Sequence, residues 1–413
     1  MKVYIIKACA KSIFKEYKKY MAAPPQSIFS LASCTPENIK IDMIDETVDM
    51  KVDYKNNADI VAIFFSTPDA MRGYEIADEF RKLGKTVVLG GLHVKFNQEE
   101  ALGHGDSLLI GECEEIWEEL LLDYRNGAMK KSYEREIEMD LSKVKPFPKD
   151  IIPLSQYNYV WSVLVSRGCV NRCSYCLVNR FFKSMRFRPI DDIIEEIKNS
   201  GAKIIELHSD NLTADREYAK ELFTKLIPLN IKWVGETTAD FADDDELLEL
   251  AAKSGLSYLL LGLETPARKE LSDMDKGFMK IERVKNQIKK LHEHGIMIDS
   301  AMLFGFAGHT KDIFEETVKY IKEIDLDVTH AVVPIPFPGT KFYDQLDKEG
   351  KIVTKDWAKY DGRHLVYKHD HLTEKDIEEG IKYFEDRAYT LKATYRYYKF
   401  VAKMSAKAFT SLT

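Results

Sequence analysis

The run Ser166-Arg-Gly-Cys-Val-Asn-Arg-Cys-Ser-Tyr-Cys176 sets Cys169, Cys173 and Cys176 at C-x3-C-x2-C spacing, directly after the strand-like stretch Val163 to Val165. Thiolates are ligands for soft metals, and a short loop with three of them supplies no fourth. An iron-sulfur cube held in this way keeps one iron without a protein ligand, whereas structural zinc and closed ferredoxin-type clusters want four. An open iron is a place for chemistry. The competing reading is a zinc knuckle whose fourth ligand, His208 or another cysteine, comes from elsewhere in the chain.

Composition bounds what can surround this loop. The chain has 413 residues, room for two or three domains with full cores. A net charge of −7 provides no global basic field, so no nucleic-acid partner is expected. The opening Met1-Lys-Val-Tyr-Ile-Ile reads as a short buried strand rather than a signal peptide, and no uninterrupted apolar run reaches membrane-spanning length. A cytoplasmic protein is the expectation. Three of the six cysteines are clustered, which is no disulfide framework, and Cys9, Cys34 and Cys113 are expected as small buried hydrophobes.

The elements that must position the cysteines alternate between strand and helix. Over residues 1–125, strands are expected at Val3–Ile6, Ile39–Ile44, Ile60–Phe65, Thr86–Leu89 and Ser107–Ile110, giving a doubly wound parallel sheet. Ligands of such sheets bind beyond the carboxyl ends of the strands. The loops there carry Ser66 and Thr67, Gly90, Gly91 and His93, and Gly111, Glu112 and Glu114, the glycines allowing close backbone approach. Residues 126–160, charged and then proline-spaced, read as a linker. From 161 to 340 the alternation resumes with six strands, at Ser162–Val165, Lys203–Leu207, Ile231–Val234, Tyr258–Leu261, Met297–Leu303 and Ala331–Val333. Their ends collect polar residues on one rim: His208-Ser-Asp-Asn, Glu236, Gly262 with Glu264, and the proline-rich loop Pro334–Thr340. Asp210 and Thr213 also suit the start of a helix.

The cysteine motif, with Tyr175 in the aromatic slot before the last cysteine, resembles the signature of the radical S-adenosylmethionine superfamily. The segments Val87-Val-Leu-Gly-Gly-Leu-His and Gly111-Glu-Cys-Glu-Glu-Ile-Trp resemble the cobalamin-binding domain that precedes many members. The fold this implies is α/β: an N-terminal doubly wound Rossmann-like cobalamin-binding domain, a partial (β/α)6 radical barrel and a helical C-terminal region over 341–413. The resemblance implies a [4Fe-4S] cluster on Cys169, Cys173 and Cys176. It implies S-adenosylmethionine on the open iron, with contacts from Asp210, Asn211, Gly262, Glu264 and Pro336, and Tyr175 and Glu236 at the catalytic centre. Cobalamin is expected against Ser66, Thr67, Gly90, Gly91, His93, Gly111, Glu112 and Glu114, with His93 hydrogen-bonding a cofactor side chain or the backbone. The Asp-x-His-x-x-Gly motif that supplies histidine to cobalt in methionine-synthase-type domains is absent, and Cys113 stands where relatives commonly carry glycine.

The activity this implies is methylation of an unactivated carbon through a 5′-deoxyadenosyl radical and methylcobalamin. A non-methylating cyclase or lyase, and outside catalysis an iron-sulfur or corrin-binding sensor, are the alternatives. Expected partners are a small-molecule or lipid-like substrate and an electron donor such as flavodoxin or ferredoxin. From Arg387 onward the chain has six lysines or arginines and no acidic residue, interleaved with Tyr389, Tyr395, Tyr397, Tyr398, Phe400 and Phe409. The preferred expectation is an aromatic stripe buried on the domain, with peripheral membrane contact as the alternative.

Overall fold

The computed structural model describes residues 1–10, 23–149, 151–157 and 160–410, without the side chains of 403 and 405–410. The Phe409 ring of the tail lies outside the described residues. The chain divides into two compact units, one of residues 1–162, 181–183 and 356–361, the other of 163–180, 184–355 and 362–413.

The first unit is built on a six-stranded sheet in the order β2-β1-β3-β4-β5-β6. Its strands are β1 (Lys2–Lys7), β2 (Lys40–Asp45), β3 (Ile60–Phe64), β4 (Thr86–Gly90), β5 (Ser107–Ile110) and β6 (Ser132–Glu134). All neighbouring pairs are parallel. β3 reads Ile-Val-Ala-Ile-Phe and is buried at every position, as a strand covered by helices on both faces must be. The five expected strands are present. β6 is an addition from the segment read as linker, pairing Leu108, Leu109 and Ile110 with Ser132, Tyr133 and Glu134.

The second sheet runs β14-β13-β12-β11-β10-β7, six strands in simple sequence order. They are β7 (Val160–Leu164), β10 (Ile204–His208), β11 (Lys232–Thr237), β12 (Leu256–Leu261), β13 (Met297–Leu303) and β14 (Val328–Val332). The pairings from β10 through β14 are parallel. This order places all the strand carboxyl ends on one rim. A small antiparallel pair, β8 (Ser166–Arg167) with β9 (Arg186–Phe187), brackets the cysteine loop. The helix after β10 starts not at Asp210 or Thr213 but at Asp215, whose carboxylate accepts from the Tyr218 N–H at 3.0 Å.

The tail corrects one expectation. The last part of the region carries two helices, Glu374–Glu385 and Leu391–Thr410. The aromatic stripe is not buried: Tyr389, Tyr395, Tyr397 and Tyr398 are exposed. The face turned inward instead carries Ala393, fully buried, and Phe400, packed on Tyr258, Met297 and Val328. Arg396 binds Asp325 and Asp327, and this charge pairing sets which face the helix shows to water. Among the described residues no helix is long and apolar enough to cross a membrane.

Candidate active site

The cysteine loop leaves β8 through Gly168, whose φ of +88° is left-handed. A Cβ there would stand 2.2 Å from the Ser184 carbonyl oxygen, so glycine is required for the loop to fold against the approach to β9. The Gly168 N–H donates to the Asp210 carboxylate at 2.8 Å, and Ser166 and Ser209 share a hydroxyl contact of 2.6 Å. The loop is thus tied to the end of β10. Asn211 bonds the Cys169 thiol and accepts from the Thr237 hydroxyl at 2.8 Å, linking the loop onward to β11.

All six cysteines are free thiols. Burial pushes the Cys176 thiol up to about 12, opposed by the Val178 N–H and reinforced by Cys173 and Cys169. Burial also raises Cys173, and there the Lys276 ammonium pulls the other way. Burial and the nearness of the other thiols hold these groups protonated, an effect that a bound cation would reverse by stabilising the thiolates. No group of three or more His, Cys, Asp or Glu side chains stands at metal-ligand spacing among the described residues. The fit to an iron-sulfur cluster rests on donor type and on the one short loop that carries all three.

Across from Cys173 lies an ion pair. Lys276 Nζ is 2.6 Å from Glu264 Oε1, with side chains only 7% and 12% exposed. The Lys276 ammonium also donates to the Tyr175 hydroxyl at 3.3 Å. Tyr175 packs on Met274, Leu303 and Phe306, and the Ser174 N–H donates to the Met274 carbonyl at 3.1 Å. Glu264 has a left-handed φ of +62°, costly for a residue with a Cβ, and its carbonyl accepts from the Leu303 N–H at 2.7 Å. Gly262 leaves room for the pair, since a Cβ there would be 2.7 Å from Lys276 Nζ. Lys276 is the candidate site residue that sequence reasoning missed. Nothing marks one lysine among 60 basic residues until the fold sets it beside the cysteines.

A second titratable group gathers where β10 and β11 end. Burial raises the Glu236 carboxyl to about 7, with Asp210 and Glu206 adding to the rise and His208 opposing it. Glu236 lies within β11 rather than after it, because the strand runs to Thr237, three residues past the expected limit of Val234. Pro336 is buried in a loop whose last residue, Thr340, caps the next helix by accepting from the Tyr343 N–H at 3.1 Å.

In the first unit the strand-end residues also converge. The Ser66 hydroxyl donates to Asp69 at 2.6 Å, and buried Thr67 lies 3.3 Å from His93 Nδ1. His93 is completely buried and meets Glu100 at 3.4 Å through its other nitrogen and Asn97 at 3.3 Å. Burial lowers its pKa, with Glu100 opposing. Gly91 has a φ of +110° and a would-be Cβ 2.4 Å from the Phe65 carbonyl oxygen, while Gly90 lies under the Phe64 ring. These two glycines serve close packing of β3 on β4. Gly111, φ +84°, faces open space, the nearest atom to its would-be Cβ being Lys95 Nζ at 3.8 Å. Glu112 accepts from the Met139 N–H at 3.1 Å and Glu114 opens the following helix. A polar, partly open strand-end surface fits a large amphipathic cofactor better than a metal ion.

The radical SAM superfamily model matches residues 163–321. The chain is 31% identical over 366 residues to bacteriochlorophyllide d C-8(2)-methyltransferase of Chlorobaculum tepidum, covering 82% of this chain and 80% of that one. It is 28% identical over 371 residues to the C-12(1)-methyltransferase of the same organism, with 87% and 81% covered. Its fold is similar to that of the radical S-adenosylmethionine methyltransferase TsrM from Kitasatospora setae with cobalamin and a [4Fe-4S] cluster bound. That match has a TM-score of 0.70 at 16% identity, over 93% of this chain and 85% of that one.

Proposed function

The chain belongs to the radical S-adenosylmethionine enzymes, and we propose that it is a cobalamin-dependent member that methylates an unactivated carbon of a small molecule. The observation that carries this reading is the loop of three thiols facing the buried Lys276–Glu264 pair on one strand-end rim. When bound, the cluster, S-adenosylmethionine and cobalamin together supply the electron, the adenosyl radical and the methyl group.

The protein's own residues do the positioning. Cys169, Cys173 and Cys176 would hold the cluster, and Asp210, through Gly168, and Asn211, through Cys169, fix the loop that presents it. Glu264 offers an acceptor and Lys276 a cation to the two ends of an amino acid group. Tyr175 walls this space and bonds Lys276. Glu236 can hold a proton near neutrality. Ser66, Thr67, Gly111, Glu112 and Glu114 are the proposed cobalamin surface of the first unit, whereas Gly90, Gly91 and His93 of the expected set are taken up by packing and buried hydrogen bonds. Pairing and burial of these groups restrict their motion before substrate arrives, which is how an enzyme lowers the cost of orientation.

Because the two relatives are named for bacteriochlorophyllides, a tetrapyrrole ring is the first substrate class to test. A flavodoxin- or ferredoxin-type donor in the cytoplasm is the proposed electron source. The test is anaerobic reconstitution with iron, sulfide and hydroxocobalamin, then reduction in the presence of deuteriomethyl S-adenosylmethionine and cell extract. The expected result is 5′-deoxyadenosine together with one metabolite carrying the labelled methyl. Failure to form 5′-deoxyadenosine would overturn the radical reading, and a protein that retains no corrin would remove the methylcobalamin step alone.

A further inference from the structure

The helix Leu391–Thr410 shows water a face that a water-facing helix has no use for. Leu391, Tyr395 and Tyr398 are 93%, 68% and 67% exposed, and they follow one another at i, i+4 and i+7, one stripe along the helix. Exposed Ala402 continues the stripe one turn further. Lys392, Lys399 and Lys403 each follow a stripe residue by one position and so occupy one flank of it; Lys399 is exposed, and Lys392, also exposed, pairs with Asp325. The opposite face is fixed to the second unit: Ala393 is buried, Phe400 packs on Tyr258, Met297 and Val328, and Arg396 binds Asp325 and Asp327. Tyr389 adds a hydroxyl bond of 2.8 Å to the Thr329 carbonyl. The stripe is therefore held outward rather than free to roll inward.

Its place in the fold separates it from the reaction. Met297 and Val328 are the first residues of β13 and β14, so the helix lies at the amino ends of the strands, whereas the cysteine loop and Glu264 belong to the carboxyl ends. The stripe is not a wall of the active site. Charge selects what covers it. The chain carries −7 in total and its segment from Arg387 onward +6, leaving −13 on the remainder; Lys392 and Arg396 pair with Asp325 and Asp327, and the other four cations of the segment are Arg387, Lys399, Lys403 and Lys407. A cationic strip on an acidic protein, beside tyrosines whose rings suit a zone apolar on one side and wet on the other, matches an anionic lipid surface. Face-to-face pairing of two copies would instead set lysines against lysines.

We propose that the helix Leu391–Thr410 docks this enzyme on anionic membrane surfaces through Leu391, Tyr395 and Tyr398, with flanking lysines meeting lipid phosphates. Docking from the amino ends of the strands leaves the carboxyl-end rim open to reactants. The test is co-sedimentation of the full chain with phosphatidylcholine vesicles, with and without phosphatidylglycerol, at low and high salt. Binding is expected only to the anionic vesicles and is expected to fall with salt. The triple variant Leu391→Ser/Tyr395→Ser/Tyr398→Ser and, separately, Lys399→Gln/Lys403→Gln are each expected to bind about tenfold more weakly or worse. Both should keep the circular dichroism and melting temperature of the parent. No binding of the parent to anionic vesicles, or equal binding by the folded variants, overturns the proposal. So does a parent dimer that the triple variant splits, which would make the stripe a contact between copies.

Discussion

The Lys276–Glu264 pair is the most consequential contact of the site, and its energetics follow from burial. Removing one partner leaves the other charge without compensation in a poorly solvated place, which costs about 3–5 kcal/mol. Lys276→Met is expected to lower stability on that scale, read by urea unfolding, while Lys276→Arg recovers most of it. Glu236 makes a pH prediction. Its folded value of about 7 lies above the ordinary glutamate range, so between the two the native state keeps a proton that the unfolded chain has released. Its contribution is fully present below the unfolded value and is lost as pH rises through about 7. Glu236→Gln should therefore unfold at the same denaturant concentration as the parent in acid and at a higher one near pH 8. At Gly168 the backbone decides: Gly168→Ala is expected to cost more than about 1 kcal/mol and to reduce iron uptake on reconstitution, measured as iron per chain. The cysteines were legible because their meaning is in their spacing. Lys276 was not, because it lies 12 positions from Glu264 and owes its role to a fold that brings both to the loop.

Elements show the same division. Strands buried on both faces announce themselves as apolar runs, so the five of the first unit and the six of the second were readable within a few residues. β6 was not, since Ser-Tyr-Glu has one buried residue and reads as linker. The tail failed for a different reason: tyrosines occupy more than one side of the helix, and pattern alone does not say which side Arg396 will turn inward. Helix packing makes a further prediction. Gly380 sits in the Glu374–Glu385 helix where a Cβ would come within 2.2 Å of the Phe314 ring. Alanine favours a helix by about 1 kcal/mol over glycine, but overpacking costs about 1–3 kcal/mol. The second effect wins, and Gly380→Ala should lower the melting temperature despite its better propensity.

For the whole molecule, ligand binding is a stability measurement. S-adenosylmethionine at about one hundred times its dissociation constant adds about 2.7 kcal/mol to a native state that binds it. The cluster-loaded enzyme should show that rise in melting temperature, and Cys173→Ala, which removes a cluster ligand, should show none of it. A rise that survives Cys173→Ala would mean that the cosubstrate is held without the iron. The order β14-β13-β12-β11-β10-β7 has a consequence for how such a protein can change over time. Five residues of strand span about 16 Å, so Arg396 and Asp327 at one end stand well beyond the range of about 7–10 Å within which substitutions interact. Changes there and changes at Glu264 should add independently in free energy. Lineages can thus retune what the rim accepts without drawing on the contacts that secure the other end.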